Sequence, residues 1–334
     1  MSSGASTQQE SEITREDHVR KAFYRGESLR LQNHEYVKAL SDITSELLRE
    51  DAEKGDVTVE SLGIGCETCA FEIRAKEGGV AAGIDEAKWV YRSAGVQASG
   101  TMKDGEQVAP GDRLLCAEGS ASALFRLERV VVNLIQRMSG IATSTREMVN
   151  EIKTRWPEVH VIATRKTPWG LLDKKAVHAG GGGTHRLGLS DAILIKTNHL
   201  RLAREARGMM LDQVIQSAWS KREDAAFVEV EVTTLEEAAI AAGVFRELQA
   251  GDHYPCILML DNFSPRAAEA TVKHLRDHAL HDAMLVEASG NIGKGSVADY
   301  AAAGVDAISV GALTHSVRAL DVSARLISGP GDLP

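Results

Sequence analysis

CILMLD at Cys256–Asp261, MLVEASG at 284–290 and AISVG at 307–311 are short runs that stay largely apolar until a polar residue or a glycine ends them. A strand with one wet face alternates apolar and polar residues, whereas a strand covered on both faces does not. These runs therefore read as strands covered by helices. Working outward, VIAT at 161–164, AILIK at 192–196 and FVEVEV at 227–232 repeat the pattern, with helical periodicity between them. Alternation of strand and helix predicts a parallel sheet. No GxGxxG follows the first strand, and several strands end in Lys196, Glu231, Asp261, Ser289 or Gly311. An α/β barrel gathers its active site at such strand ends, so the pattern predicts a barrel rather than an open dinucleotide-binding sheet.

Upstream the pattern changes. AFEIRA and RLLCAEG, within residues 69–119, are β-type runs separated by turn signals at Gly78-Gly79, Asp104-Gly105 and Pro110-Gly111. Tyr36, Val37, Leu40, Ile43, Leu47 and Leu48 recur at helical spacing, which predicts an amphipathic helix over 33–49. The expected organisation is a polar tail at 1–22 without chemistry, an N-terminal α/β sandwich domain at 23–127 and the barrel at 128–313. The run 124–152 is expected to form one or two helices broken near Ser139-Gly140. Residues 314–327 read as a helix, with 314–330 packing back on the first domain.

Composition narrows the function classes. The 334 residues include 38 basic and 47 acidic side chains, a net charge of −9, which argues against general attraction to nucleic acid or an anionic membrane. No stretch approaches the roughly 18 apolar residues of a spanning helix, and the polar N-terminus does not resemble a signal peptide, so a cytoplasmic protein is expected. Cys66, Cys69, Cys116 and Cys256 are too few and scattered for a disulfide scaffold. Cys66 and Cys69 form a lone CxxC with no partner motif to complete a zinc site, and read as ordinary residues entering a strand.

An acidic chain that binds an anion needs a local basic pocket. Arg165, Lys166, His185, Arg186 and Lys196 fall at strand ends or in the loops that follow, where they can converge. Guanidinium forks suit carboxylates and phosphates in two-point contact, and lysine supplies a compact charge. The plainer alternative is charges scattered on surface loops. The run Gly180 to Gly183 lacks the trailing GK(S/T) of a P-loop; it is either a phosphate cradle or a turn that lets backbones approach closely.

With these residues in view, the sequence resembles the quinolinate phosphoribosyltransferase (nicotinate-nucleotide pyrophosphorylase, carboxylating) family over nearly all its length after the tail. The motifs, in the family's order, are GDVT at 55–58, DGEQVAPGD at 104–112, ER at 128–129 leading to SGIAT, TRKT at 164–167, THRLGLSD at 184–191 and LIKTNH at 194–199. VEVEV at Val228–Val232, LDNF at 260–263, EASGNI at 287–292 and ISVGALTHS at 308–316 complete them.

The resemblance implies an N-terminal α/β sandwich domain and an incomplete parallel α/β barrel of the type II phosphoribosyltransferase kind, in a homodimer or higher oligomer with a shared active site. It implies that Arg165, His185, Arg186 and Lys196 grip quinolinate, with Arg129 supplied by the neighbouring subunit and Lys166 between the substrates. Glu231 and Asp261 would face the ribose hydroxyls of phosphoribosyl pyrophosphate and its Mg2+, directly or through water. Ser289, Gly290, Gly311 and His315 would hold the 5'-phosphate. The implied reaction transfers phosphoribosyl to quinolinate with decarboxylation, giving nicotinate mononucleotide, pyrophosphate and CO2. The alternatives are a non-decarboxylating transferase for nicotinate or another heterocycle, and a non-catalytic anion-binding relative. Two positions depart from the family pattern: TRKT runs into Pro168-Trp169-Gly170, which would bring a bulky ring close to the acceptor grip, and Thr197 stands where Asp is more usual. The spacing of Glu231 and Asp261 also points to extra loop length at 248–255.

Overall fold

The computed structural model describes residues 14–250 and 253–327. A six-stranded parallel sheet takes its strands in the order His160–Ile162, Ala307–Ser309, Leu285–Ser289, Cys256–Asp261, Val228–Val232 and Ile193–Ile195. Gly183 bridges Ile162 in parallel, so the segment after the glycine run lies beside the first strand. Registry sets Glu287 opposite Met259 and Met259 opposite Glu231, with Ser289 opposite Asp261 one layer higher. Two-residue steps keep Glu229 and Glu231 on one face, as they do Glu287 and Ser289.

One end of this incomplete barrel is closed by an element the sequence assigned to the tail. Arg15–Phe23 is a helix begun by a Thr14–Asp17 capping box. Its Val19, Ala22 and Phe23 form a buried cluster with Ile162 and with Ala192, Phe227, Ile257, Leu285 and Ala307, the last five at or just before the starts of their strands. Arg15 forks onto Asp306 at 2.5 and 2.6 Å. Residues 14–22 are thus packed structure; positions 1–13 of the expected tail lie outside the described residues. The predicted loop at 248–255 follows the helix Leu235–Leu248, and its residues 251 and 252 also lie outside the described residues.

The second sheet is four-stranded and antiparallel, in the order Val322–Ile327, Thr68–Ala75, Arg113–Ser120 and Gln97–Gly100. The predicted helix at 33–49 is present as His34–Ala52, capped by Asn33. Two expectations change here. Residues 314–327 do return to the first domain, but as an edge strand preceded by the short helix Ala312–His315. Ser323, Arg325 and Ile327 alternate with Val322, Ala324 and Leu326, a two-residue pattern that pairing with the Thr68–Ala75 strand selects over a helix.

The run 124–152 is one unbroken helix, Ala121–Lys153, rather than a pair. Gly140 is there for packing, since a Cβ would lie 2.2 Å from the Arg318 carbonyl oxygen. Ser139 uses its hydroxyl on the Ala82 backbone. The expected junction at 127–128 falls inside this helix, which packs on both sheets. No helix among the described residues is long and apolar enough to cross a membrane.

Candidate active site

All six parallel strands end around one cavity of about 270 Å³, lined among others by Arg165, Lys166, His185, Arg186, Lys196, Glu231, Asp261 and Ser289. The six other lining residues include Glu287 and Ser309. Strand ends converge because parallel strands point the same way, and the cluster at their starts blocks the opposite mouth.

One wall is cationic. Arg186 is buried, and burial followed by the neighbouring Arg165 pushes its guanidinium below its usual range. Lys174, on the helix Leu171–Ala179 behind this wall, is buried as well; burial and then Arg165 push its ammonium down to about 7. Like charges crowded in a poorly solvated place are costly, and an anion of matching charge relieves that cost.

The facing wall is acidic. Asp261 is pushed up, first by burial and then by the repulsion of Glu231. Two carboxylates that repel one another across hard oxygen donors suit a divalent cation such as magnesium. Glu231 sits at the N-terminus of the helix Thr197–Arg207, where its Oε1 accepts from the Thr197 N–H at 3.1 Å and from the Thr197 hydroxyl. Exposed backbone donors and the helix dipole both favour a carboxylate there. Lys196 Nζ lies 3.9 Å from Glu231 Oε2 and is half exposed, a loose pair that leaves the ammonium available.

At the base of the cavity the structure adds to His185 two acids the sequence reading missed. His185 Nε2 lies 3.1 Å from Glu229 and 3.4 Å from Glu287, both fully buried. Its Nδ1 accepts from the Arg186 N–H at 2.7 Å, which puts the imidazole proton on Nε2, facing the two acids. A protonated nitrogen is not a metal ligand, although donors of these three residues lie within 4.8 Å of one another. Burial and then the neighbouring Glu287 push the Glu229 carboxyl upward. The His185 Nδ1 is committed to protein, whereas Nε2 faces the Glu229 and Glu287 carboxylates without forming a hydrogen bond to either. His185 lines the cavity next to Arg186, and its ring also lies against the two buried carboxylates. The available signal was strand periodicity: Glu229 shares its face with Glu231, as Glu287 does with Ser289.

Other expected residues stand at the rim or beyond. Gly290 has φ +107° and closes on Asn262. Gly311, His315 and Lys166 adjoin, since a Cβ on Gly311 would meet the His315 ring at 3.1 Å and the Lys166 stem at 3.3 Å. The Thr314 hydroxyl donates to the Lys166 carbonyl at 2.9 Å. Arg129 is outside the cavity on the long helix, two-thirds exposed and paired with Glu128. The glycine run is a close-packing device: Gly180 and Gly182 press on Thr145, and Gly183 on Ile162 and Phe23. Trp169 does not line the cavity; its ring lies 5.2 Å from the Arg137 guanidinium, itself forked onto buried Asp173. The ring expected beside the acceptor wall is thus held against Arg137 and outside the cavity lining.

The quinolinate phosphoribosyl transferase N-terminal domain model matches residues 56–139, and the C-terminal domain model matches residues 141–325. A nicotinate-nucleotide pyrophosphorylase (carboxylating) of Mycobacterium leprae is 35% identical, the match covering 86% of this chain and 97% of that protein. A quinolinate phosphoribosyltransferase (decarboxylating) of Nicotiana tabacum is 34% identical, over 86% of this chain and 82% of that one. The solved nicotinate-nucleotide pyrophosphorylase of Francisella tularensis superposes with a TM-score of 0.75 at 31% identity, covering 87% of this chain and 96% of that chain. Both domain models match in order and together span most of the described residues, so the chain belongs to the quinolinate phosphoribosyltransferase family.

Proposed function

We propose that this enzyme transfers the phosphoribosyl group of phosphoribosyl pyrophosphate to quinolinate, releasing pyrophosphate and CO2 and leaving nicotinate mononucleotide. The observation that carries the reading is the cavity's two-sided charge: Arg165, Lys166, Arg186 and Lys196 crowd toward a space whose other wall is Glu231 and Asp261. A dicarboxylate satisfies the first wall. A ribose with metal-bound pyrophosphate satisfies the second.

Displacement at the anomeric carbon needs positioning and charge complementarity rather than a protein nucleophile. Arg165, Arg186 and Lys196 hold the acceptor's carboxylates, with His185 steadying Arg186 from below, and Lys166 reaches between the two substrates. Glu231 and Asp261 accept from the ribose hydroxyls and would hold magnesium, which would supply charge neutralisation for the departing pyrophosphate. Ser289 and the turns at Gly290, Gly311 and His315 take the 5'-phosphate. After transfer the ring nitrogen is positive; the bond from C2 to its carboxylate then breaks, the electron pair stays on C2, and a proton replaces CO2.

A homodimer, with Arg129 reaching the partner's cavity, is part of this reading and is supported by the exposed position of Arg129 on the long helix. A cytoplasmic location completes it. The rival non-decarboxylating transferase drew its support from a bulky Trp169 at the acceptor wall, and the ring's seat on Arg137 removes that support. Purified protein incubated with quinolinate, donor and magnesium should give nicotinate mononucleotide and CO2 in equal amounts. Turnover of nicotinate alone would refute the decarboxylating assignment.

A further inference from the structure

We propose that the N-terminal segment is a strut of the acceptor site, with Arg25 as a positioning residue that acts through Asp191 on the turn carrying Arg186. The inference rests on the acceptor-site reading above, since the residue being positioned is one of its cations.

The geometry is continuous from the barrel floor to the pocket. The helix Arg15–Phe23 ends with Phe23 fully buried, and its carbonyl accepts from the Thr184 N–H at 2.6 Å, the Thr184 hydroxyl at 3.0 Å and the His185 N–H at 3.2 Å. The Phe23 ring lies 5.7 Å from the His185 ring. Two residues on, the Arg25 N–H donates to the Thr184 hydroxyl oxygen at 3.2 Å, and its guanidinium pairs with Asp191 Oδ1 at 3.0 Å. The other Asp191 oxygen accepts from the Leu187 N–H at 2.7 Å. Both ends of the turn from Thr184 to Asp191 are therefore tied to residues 23–25.

The turn needs outside support. His185 adopts φ +53°, a left-handed conformation that a non-glycine residue holds only when its surroundings impose it. Arg186 follows directly, buried beside Arg165, with its guanidinium donating to the Ala192 carbonyl at 3.3 Å. Without a fixed backbone the guanidinium would lose the orientation that two-point contact requires. Phe23 supplies the strand-like hydrogen bonds on one side, and Lys174 Nζ, donating to the Thr184 carbonyl at 2.5 Å, supplies the other. Arg25 touches no atom of the cavity wall yet restrains the far end of the turn.

The test uses full-length protein carrying Arg25→Met, which keeps the aliphatic stem, and Arg25→Lys, which keeps the charge. A partly exposed ion pair contributes up to about 1 kcal/mol, a factor of up to roughly five. Arg25→Met should raise the acceptor KM by about that factor, leave donor KM unchanged, lower Tm by no more than a few degrees, and speed amide exchange across 184–191. Arg25→Lys should recover most of it. In an Asp191→Asn background Arg25→Met should add nothing. Unchanged acceptor KM, unchanged exchange, or an equal rise in both KM values with a lower Tm would overturn the strut. If the parent enzyme fails to convert quinolinate, the acceptor reading falls, while exchange at 184–191 still judges the strut by itself.

Discussion

Replacing Thr197 by valine changes one hydroxyl into a methyl of nearly the same shape, at the residue that ties Glu231 to a helix start. Glu231 Oε1 receives two hydrogen bonds from Thr197, from the N–H at 3.1 Å and from the hydroxyl. The backbone bond survives the substitution, so the loss is one bond to a nearly buried carboxylate. Hydrogen bonds to charged groups contribute roughly 1.5 to 3 kcal/mol, and the surviving donor keeps the expected cost near the lower figure. At about 1.4 kcal/mol per decade, kcat/KM for phosphoribosyl pyrophosphate should fall about tenfold. The assay varies donor at saturating quinolinate and then acceptor at saturating donor. The donor parameter should fall while acceptor KM stays within about twofold, since Glu231 faces the donor wall, and Thr197→Ser should recover most of the rate. In a Glu231→Gln background the valine should cost little more. Parental donor kinetics in Thr197→Val, or a serine variant as impaired as the valine one, would refute the argument that this hydroxyl orients Glu231.

Arg186→Ala should weaken quinolinate binding by about tenfold to a hundredfold, the value of a charge-assisted hydrogen bond, and should erase most of the preference for quinolinate over nicotinate in competitive titration. Mixing inactive Arg129→Ala with inactive Lys166→Ala subunits should restore activity, because some hybrid dimers carry one unmutated site; no recovery after proven subunit exchange would contradict a shared site. Away from the site, burial and then Asp104 raise buried Glu86 from an ordinary value of 4.5 to about 7. A carboxyl raised on folding favours the folded state at low pH and loses that advantage as pH climbs from 4.5 through 7. Glu86→Gln, still able to accept from the Tyr36 hydroxyl, should remove this decline and be more stable than the parent at pH 8, by about 3 kcal/mol in urea titration.

What the sequence made legible was the part governed by local pattern. Apolar runs closed by Lys196, Glu231 and Asp261 announced the parallel strands and the side chains at their ends, because strand periodicity and strand direction suffice to bring them together. Three features depended on pairings far apart in sequence. Val322–Ile327 carries enough apolar residues for a helix, and only the open edge of Thr68–Ala75 makes it a strand. Gly140 reads as a helix breaker until the Arg318 backbone is seen against it. The helix Arg15–Phe23 offers only Val19, Ala22 and Phe23 to bury, too little to mark it as structure until the barrel mouth supplies the complementary cavity. Glu229 and Glu287 were overlooked for a different reason: an acid inside an apolar strand is expected at the solvent end, and these sit one layer lower, against His185.

The two ends of the barrel divide the work in a way that explains that buried layer. Side chains two residues apart on the same strands face the same interior, so Leu285, Glu287 and Ser289 pass from apolar floor to buried acid to cavity wall within one strand. The floor excludes water because the helix Arg15–Phe23 fills it, and exclusion of water makes each charge above it more consequential. Buried acids unopposed would be ruinous there, and so would the crowded Arg165, Arg186 and Lys174. Placed one layer apart, each set moderates the other: Glu229 raises Arg186 while burial and Arg165 lower it, and Glu287 does the same for Lys174. A site built on these charges is therefore held by its floor as much as by its walls, and the N-terminal helix is the element that supplies the floor.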